Sequence, residues 1–198
     1  MIGLTGSIGM GKTETGKLFA RLGIPVHDAD ETVHRLYDKD GDAVDATSRE
    51  FPGTVRDGRV MRDALAANVA GDEPAFRRLE AIVHPLVREA ELEFLDDAMK
   101  RGDDLVVLDI PLLFETGGEK RMDAIVVVSA PPEVQRERVL SRTGMTLEKL
   151  EAMHARQVPD VDKRRKADFV IETDKGLEHA FAAVQRIVAE LRERAARK

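Results

Sequence analysis

Residues Gly6 to Thr13 read Gly-Ser-Ile-Gly-Met-Gly-Lys-Thr. They fill the pattern Gly-x-x-x-x-Gly-Lys-[Ser/Thr], in which a turn of backbone amides surrounds phosphate oxygens. Gly6, Gly9 and Gly11 are expected to take positive φ and turn their N–H groups inward. Lys12 offers a charge that bridges the β- and γ-phosphates, and Thr13 offers a hydroxyl to Mg²⁺. The context agrees with the pattern. Met1 to Thr5 is an apolar strand that runs into the loop, and Glu14 to Leu22 carries Leu18, Phe19 and Leu22 at helical spacing before Gly23 and Pro25 close it. The helix adds its positive dipole end to the same spot. Gly9, Met10, Gly11, Lys12, Thr13 and Glu14 are therefore expected to touch a nucleoside triphosphate.

Composition narrows the function. The 198 residues suit one domain with insertions, and aromatics are only 4%, so the interior must be built from Leu, Val, Ile and Ala. The absence of cysteine excludes disulfide, thiol and zinc-thiolate chemistry and fits a reducing cytoplasm. No targeting segment is expected, and no apolar run is long enough to span a bilayer. A net charge of −6 argues against broad nucleic-acid binding. A small polyanionic substrate then needs a local cluster of cations.

Taken in order, Ile24 to His27 reads as a second strand that delivers Asp28 and Asp30 at its carboxyl end, where α/β sheets bind ligands. The same acids also suit a helix start, Asp28 as a cap with Glu31 and Asp30 as a dipole partner. Lys39 to Gly58 reads as loop with one short helix, Ala43 to Glu50, ended by Pro52-Gly53. Residues 59–101 look helical almost throughout, with breaks at Gly71 to Pro74 and at His84-Pro85, where Pro85 suits the first position of a new helix. This is too long for a simple crossover and reads as an inserted helical substrate subdomain. Leu105 to Asp109 is an apolar strand ending in an acid suited to the Mg²⁺ water shell. The segment Ile110 to Glu115 follows it. Asp123 to Val128 is a fourth strand, Pro131 to Arg142 a helix that carries Arg136 and on which Arg138 and Arg142, four apart, share a face, and Thr146 to Gln157 another. The basic run Lys163 to Lys166 comes next, interleaved with acids as a solvated face would be. Phe169 to Ile171 is a fifth strand and Leu177 to Arg194 a closing helix.

Five strands alternating with helices predict an α/β fold, a five-stranded doubly wound parallel sheet. It carries the helical insertion and a basic helical lid over about residues 136–166. In such a phosphotransferase the lid arginines close over the γ-phosphate and exclude water.

Over nearly its whole length the chain resembles the dephospho-coenzyme A kinases, a family of small-molecule P-loop kinases. The likeness rests on Gly6 to Thr13, Asp28-Ala29-Asp30, His84-Pro85 and Asp109-Ile110-Pro111-Leu112-Leu113-Phe114-Glu115. It continues through Gln135, Arg138, Arg142 and Gln157 to Ala167-Asp168-Phe169-Val170-Ile171. The resemblance implies a nucleoside-monophosphate-kinase-like fold and a cytoplasmic enzyme. Its implied reaction is ATP-dependent phosphorylation of the ribose 3′-hydroxyl of dephospho-coenzyme A. Lys12, Asp30 and Arg138 would be catalytic, Asp30 accepting or orienting the hydroxyl proton. Arg142 would join the ATP contacts. Asp30, His84, Pro111, Leu113 and Glu115 would bind the acceptor, and Thr13 would hold Mg²⁺. No nucleic acid or membrane partner is implied.

The chain departs from the family pattern at three places. Met10 stands where Ser is more common, Glu14 replaces a common Thr, and Glu172-Thr173 replaces Asp-Asn. Two other readings remain in view, another small-molecule P-loop kinase acting on a nucleoside, nucleotide or shikimate, and a GTP-binding switch. The switch signature Asn/Thr-Lys-x-Asp finds only Arg165-Lys166-Ala167-Asp168, with the wrong first residue.

Overall fold

In the computed structural model, which describes residues 1–197, the chain divides into two compact units. One comprises Met1–His27 with Ala98–Lys198, and the other Asp28–Asp97. The division falls well before the helical insertion expected at 59–101, because the chain from Asp28 onward packs on a core of its own.

The larger unit is built on a parallel sheet of five strands with flanking helices. Its central strand β1 (Ile2–Thr5) is buried throughout. The chain passes through α1 (Lys12–Arg21) to β2 (Val26–Asp28) and later returns through β5 (Val107–Asp109). It then builds β6 (Ala124–Ser129) and β7 (Phe169–Glu172) on the other side of β1, for a strand order β2-β5-β1-β6-β7. The register sets Leu4 beside Asp109 and Val126, and Thr5 beside Val127. The direction of winding reverses at β1, so its carboxyl end is the place where such a sheet opens a crevice. After β6 come α6 (Pro132–Leu140), α7 (Leu147–His154) and α8 (Asp160–Lys166). The long α9 (Leu177–Ala196) buries Ala180, Ala183, Val184, Ile187, Val188 and Leu191, the apolar stripe of its helical period, beside α1 and β7.

The smaller unit holds α2 (Ala29–Tyr37), α3 (Val44–Glu50), a hairpin of β3 (Val55–Arg56) and β4 (Arg59–Val60), α4 (Arg62–Val69) and most of α5 (Glu73–Arg101). Val44, Phe51, Val60, Leu65 and Ala75 form its core. Two features differ from the sequence expectation. The hairpin replaces loop, turning at Asp57-Gly58 with φ of 51° and 74°, the left-handed pair that Asp-Gly supplies in a two-residue β-turn. And α5 runs through His84-Pro85 as one helix of 29 residues. Pro85 removes one backbone donor, but both residues face solvent. The carbonyl left without a donor belongs to Ala81, itself exposed, so water can reach it and the helix persists.

Candidate active site

The loop between β1 and α1 is held from outside by side chains that bind its carbonyls. Gln135 Nε2 on α6 donates to Ile8 O at 2.7 Å, and Thr173 Oγ1, just past β7, donates to Met10 O at 2.9 Å. Arg138 reaches Gly9 O at 3.4 Å. A trans peptide points its N–H opposite its C=O. Pinning Ile8 and Met10 carbonyls outward therefore turns the Gly9 and Gly11 amides into the loop. Gly9 and Gly11 take φ of 77° and 89°, as expected. Gly6 does not. Its need for glycine is steric, because a Cβ there would lie 2.4 Å from Val128 Cγ2 on β6. Gly11 caps α1 with no side-chain acceptor, so the first amides of the helix remain available to an anion.

Lys12 and Asp109 meet at the end of this loop, Nζ to Oδ1 at 2.5 Å, with Asp109 buried at the carboxyl end of β5. The two hydroxyls of the first helical turn have different fates. Thr15 is buried and donates back to Gly11 O at 3.1 Å, whereas Thr13 is exposed. Glu14 faces out and pairs with Lys17. Met10 turns its side chain into the core, where Sδ accepts from Ala130 N at 3.1 Å. The position supplies packing as well as backbone.

Beside the loop lies a cavity of about 560 Å³, lined by Gly11, Leu18, Arg142, Thr173, Leu177 and Ala180 among others. Arg138 borders it and is forked onto Thr173, NH1 to Oγ1 and NH2 to O, both at 2.9 Å. Its apolar wall on α1 and α9 and its two arginines suit a flat base joined to phosphates. Arg142 stands just past the end of α6, not on a shared helical face with Arg138.

The expected acceptor residues are distributed differently. Pro111 is half-buried and its carbonyl accepts from Thr5 Oγ1 at 3.2 Å. Leu113, expected at the substrate cleft, is fully buried. It fills the space beside the side-chain-less Gly3 and Gly118, so its role is core packing, and the exposed residue of the segment is Leu112. Glu115 Oε1 accepts from Val158 N at 2.8 Å and lies 3.0 Å from Nζ of the wholly buried Lys163. In the smaller unit Asp28 caps α2 by accepting from Glu31 N at 3.0 Å, and Asp30 is exposed in the first turn. His84 is exposed, 3.7 Å from Glu80.

The family model described as Dephospho-CoA kinase matches residues 1–179. The chain belongs to that family. It is 58% identical over 192 residues to the dephospho-CoA kinase of Mesorhizobium japonicum, covering 97% of this chain and 96% of that one. The dephospho-CoA kinase of Rhodopseudomonas palustris (strain HaA2) is 55% identical over 188 residues, 95% and 94% of the two chains. Among solved structures, TT1252 from Thermus thermophilus superposes with a TM-score of 0.83 at 37% identity over 96% of each chain. Gln135, Arg138 and Arg142, among the residues on which the sequence resemblance rests, are gathered around the loop or its cavity. Two contacts escape sequence reasoning. Thr173 stands out in the sequence only as a departure from the family's Asp-Asn, and Lys163 sits inside a basic run that reads as solvated.

Proposed function

We propose that this member of the family transfers the γ-phosphoryl group of ATP to the ribose 3′-hydroxyl of dephospho-coenzyme A, with the gripped phosphate loop as its reaction centre. The observation that supports this reading most directly is the loop itself, with its inward amides and Lys12 facing one place. The adenine end of ATP takes the cavity beside Arg142, Thr173 and Leu177. The phosphates take the amides of Gly9, Gly11 and Lys12. The Lys12 ammonium rests on Asp109, and a bound triphosphate would offer it phosphate oxygens instead. Arg138, on the cavity side of the loop, adds positive charge against the nucleotide.

The residues fit Mg²⁺. Thr13 is an exposed hydroxyl at the helix start and Asp109 a buried carboxylate at the end of the neighbouring strand, the hard oxygen donors such an ion takes beside phosphate and water. When bound, the ion neutralises charge that develops on the phosphates. Asp30 accepts or orients the 3′-hydroxyl proton. His84, Pro111 and Glu115 are proposed on the acceptor side, Glu115 through the segment it ties to Val158 and Lys163. Among the described residues no helix is long and apolar enough to cross a membrane, and the site is proposed to work on small molecules in the cytoplasm.

ATP turnover with Mg²⁺, measured with and without dephospho-coenzyme A, tests the reading. Acceptor-dependent ADP release is expected. The Asp30→Asn variant should lose about 10²-fold or more of it while still binding ATP. Turnover indifferent to the acceptor would remove the substrate, and full activity in Asp30→Asn would remove that residue from the chemistry.

A further inference from the structure

We infer that Thr173 is a positioning residue of the nucleotide site, setting the Gly11 amide and the Arg138 guanidinium through one hydroxyl. The inference rests on the reading of this loop as the nucleotide site. Thr173 sits one residue past β7, and its N–H donates to Ser129 O at 2.9 Å, so its backbone continues the ladder and is fixed. Its hydroxyl has a single proton, and Met10 O at 2.9 Å is the nearer of the two carbonyls within its reach, Ser129 O lying at 3.4 Å. The oxygen's lone pairs are then open to Arg138 NH1, while NH2 takes the carbonyl of the same residue. The result is a directional chain from guanidinium to hydroxyl to loop carbonyl, in which each bond polarises the next.

Each partner has a consequence for a bound nucleotide. Holding the Met10 carbonyl outward aims the Gly11 N–H at the phosphate position. Both ends of the Arg138 fork rest on Thr173, which fixes the guanidinium at the cavity wall with its remaining donors free of that residue. The side chain also packs on the loop directly. A Cβ added to Gly11 would meet Thr173 Cβ, Cγ2 and Oγ1, each at 3.2 Å. Thr173 thus supports the left-handed turn at Gly11 and selects its peptide orientation. A valine of the same shape would keep the packing, but would set a methyl group against one carbonyl and one guanidinium.

Calorimetric binding of MgADP to wild type, Thr173→Val, Arg138→Ala and the double variant tests the inference. Thr173→Val should weaken binding about 10-fold, the scale of a lost hydrogen bond to a charged group. Thr173→Ser, which keeps the hydroxyl, should recover most of the loss. The double variant should bind within about 2-fold of the weaker single variant, because Arg138 without its anchor has little left to lose. In turnover, kcat should fall more than KM for ATP rises, since aimed donors matter most in the transition state. Wild-type affinity in Thr173→Val, or losses that multiply in the double variant, would overturn the inference. If Thr173→Val does not fold, Thr173→Ala is read in the same cycle. The cycle uses nucleotide alone, so an acceptor other than dephospho-coenzyme A would strike the proposed reaction and leave the role of Thr173 standing.

Discussion

The phosphate loop of the larger unit and the hollow of the smaller unit show two ways to gather positive charge. In the loop the donors are backbone amides, and the groups that aim them are buried or half-buried: Gln135 and Thr173. The hollow is about 280 Å³ and is lined by His34, Arg35, Tyr37, Asp38, Arg59 and Arg62 among others. Most of these side chains are exposed. Arg59 is drawn to Asp38 at 3.0 Å, and Arg62 donates to His34 Nε2 at 2.6 Å. A guanidinium only donates, so that imidazole nitrogen must present its lone pair. Fixed amides cannot be re-aimed without breaking buried bonds, whereas long exposed side chains rearrange freely and interact weakly. Removing a cation should therefore do very different damage in the two units.

The largest effect is expected at Lys163. Its side chain is wholly buried, with Nζ 3.0 Å from Glu115 Oε1, and Glu115 is itself mostly buried. Lys163→Met removes one partner and leaves the carboxylate with Val158 N–H as its remaining donor to Oε1. Such a change costs about 3–5 kcal/mol. For a chain of this size that corresponds to a melting temperature lower by about 10 °C, read by calorimetry. The double variant Lys163→Met, Glu115→Gln should recover much of the loss. An unchanged melting temperature in the single variant would show that the larger unit does not hold this pair as tightly as its burial implies.

Met10 separates aiming from packing within the loop itself. Its side chain is buried in the sheet core and its sulfur accepts from Ala130 N, while the phosphate contacts proposed for the loop come from backbone. Met10→Ser should destabilise the protein by about 2–4 kcal/mol in denaturant unfolding, through lost apolar contacts and a lost acceptor. Once folded, the variant should bind ATP within about 2-fold of wild type, because Thr173 still holds the carbonyl at this position. A large loss of affinity at unchanged stability would invert that assignment.

The same contrast governs what is legible in the sequence. The loop, the five strands and their alternation with helices can be read because each follows from a local pattern, a glycine spacing or a short apolar run before a turn. The family resemblance extends that reading to Gln135, Arg138 and Arg142. The grip on the loop is not legible, since Thr173 is some 160 residues from Met10 and only the fold brings them together. Lys163 looks like its solvated neighbours because burial is decided by how α8 packs, not by its own run. Pro85 reads as a boundary because a proline removes a donor, yet exposure of that helix face lets α5 continue. The hairpin is hidden for a different reason. Asp57-Gly58 between Val55-Arg56 and Arg59-Val60 carries the turn signal, but strands of two residues have too little periodicity to stand out.

The smallest effect is expected in the hollow, and the chain supplies its own probe. Tyr37 is the single tyrosine and there is no tryptophan, so tyrosinate absorbance reports one site. Burial raises the Tyr37 pKa above its ordinary value, and the Arg62 guanidinium, 6.0 Å from the ring centroid, opposes that rise. Arg62→Met keeps most of the covering stem and removes the charge, so the phenol should titrate still higher. A downward move would mean that Arg62 acts mainly by covering the ring. Stability has a matching sign. The folded-state pKa lies above the unfolded value of about 10, so the contribution is complete below that pH and is lost as pH rises through the folded pKa. The slope there should not exceed about 1.4 kcal/mol per pH unit. At neutral pH the same substitution should change stability by less than about 0.5 kcal/mol, against several for Lys163→Met. Equal losses from the two would mean that the hollow is as rigidly built as the phosphate loop.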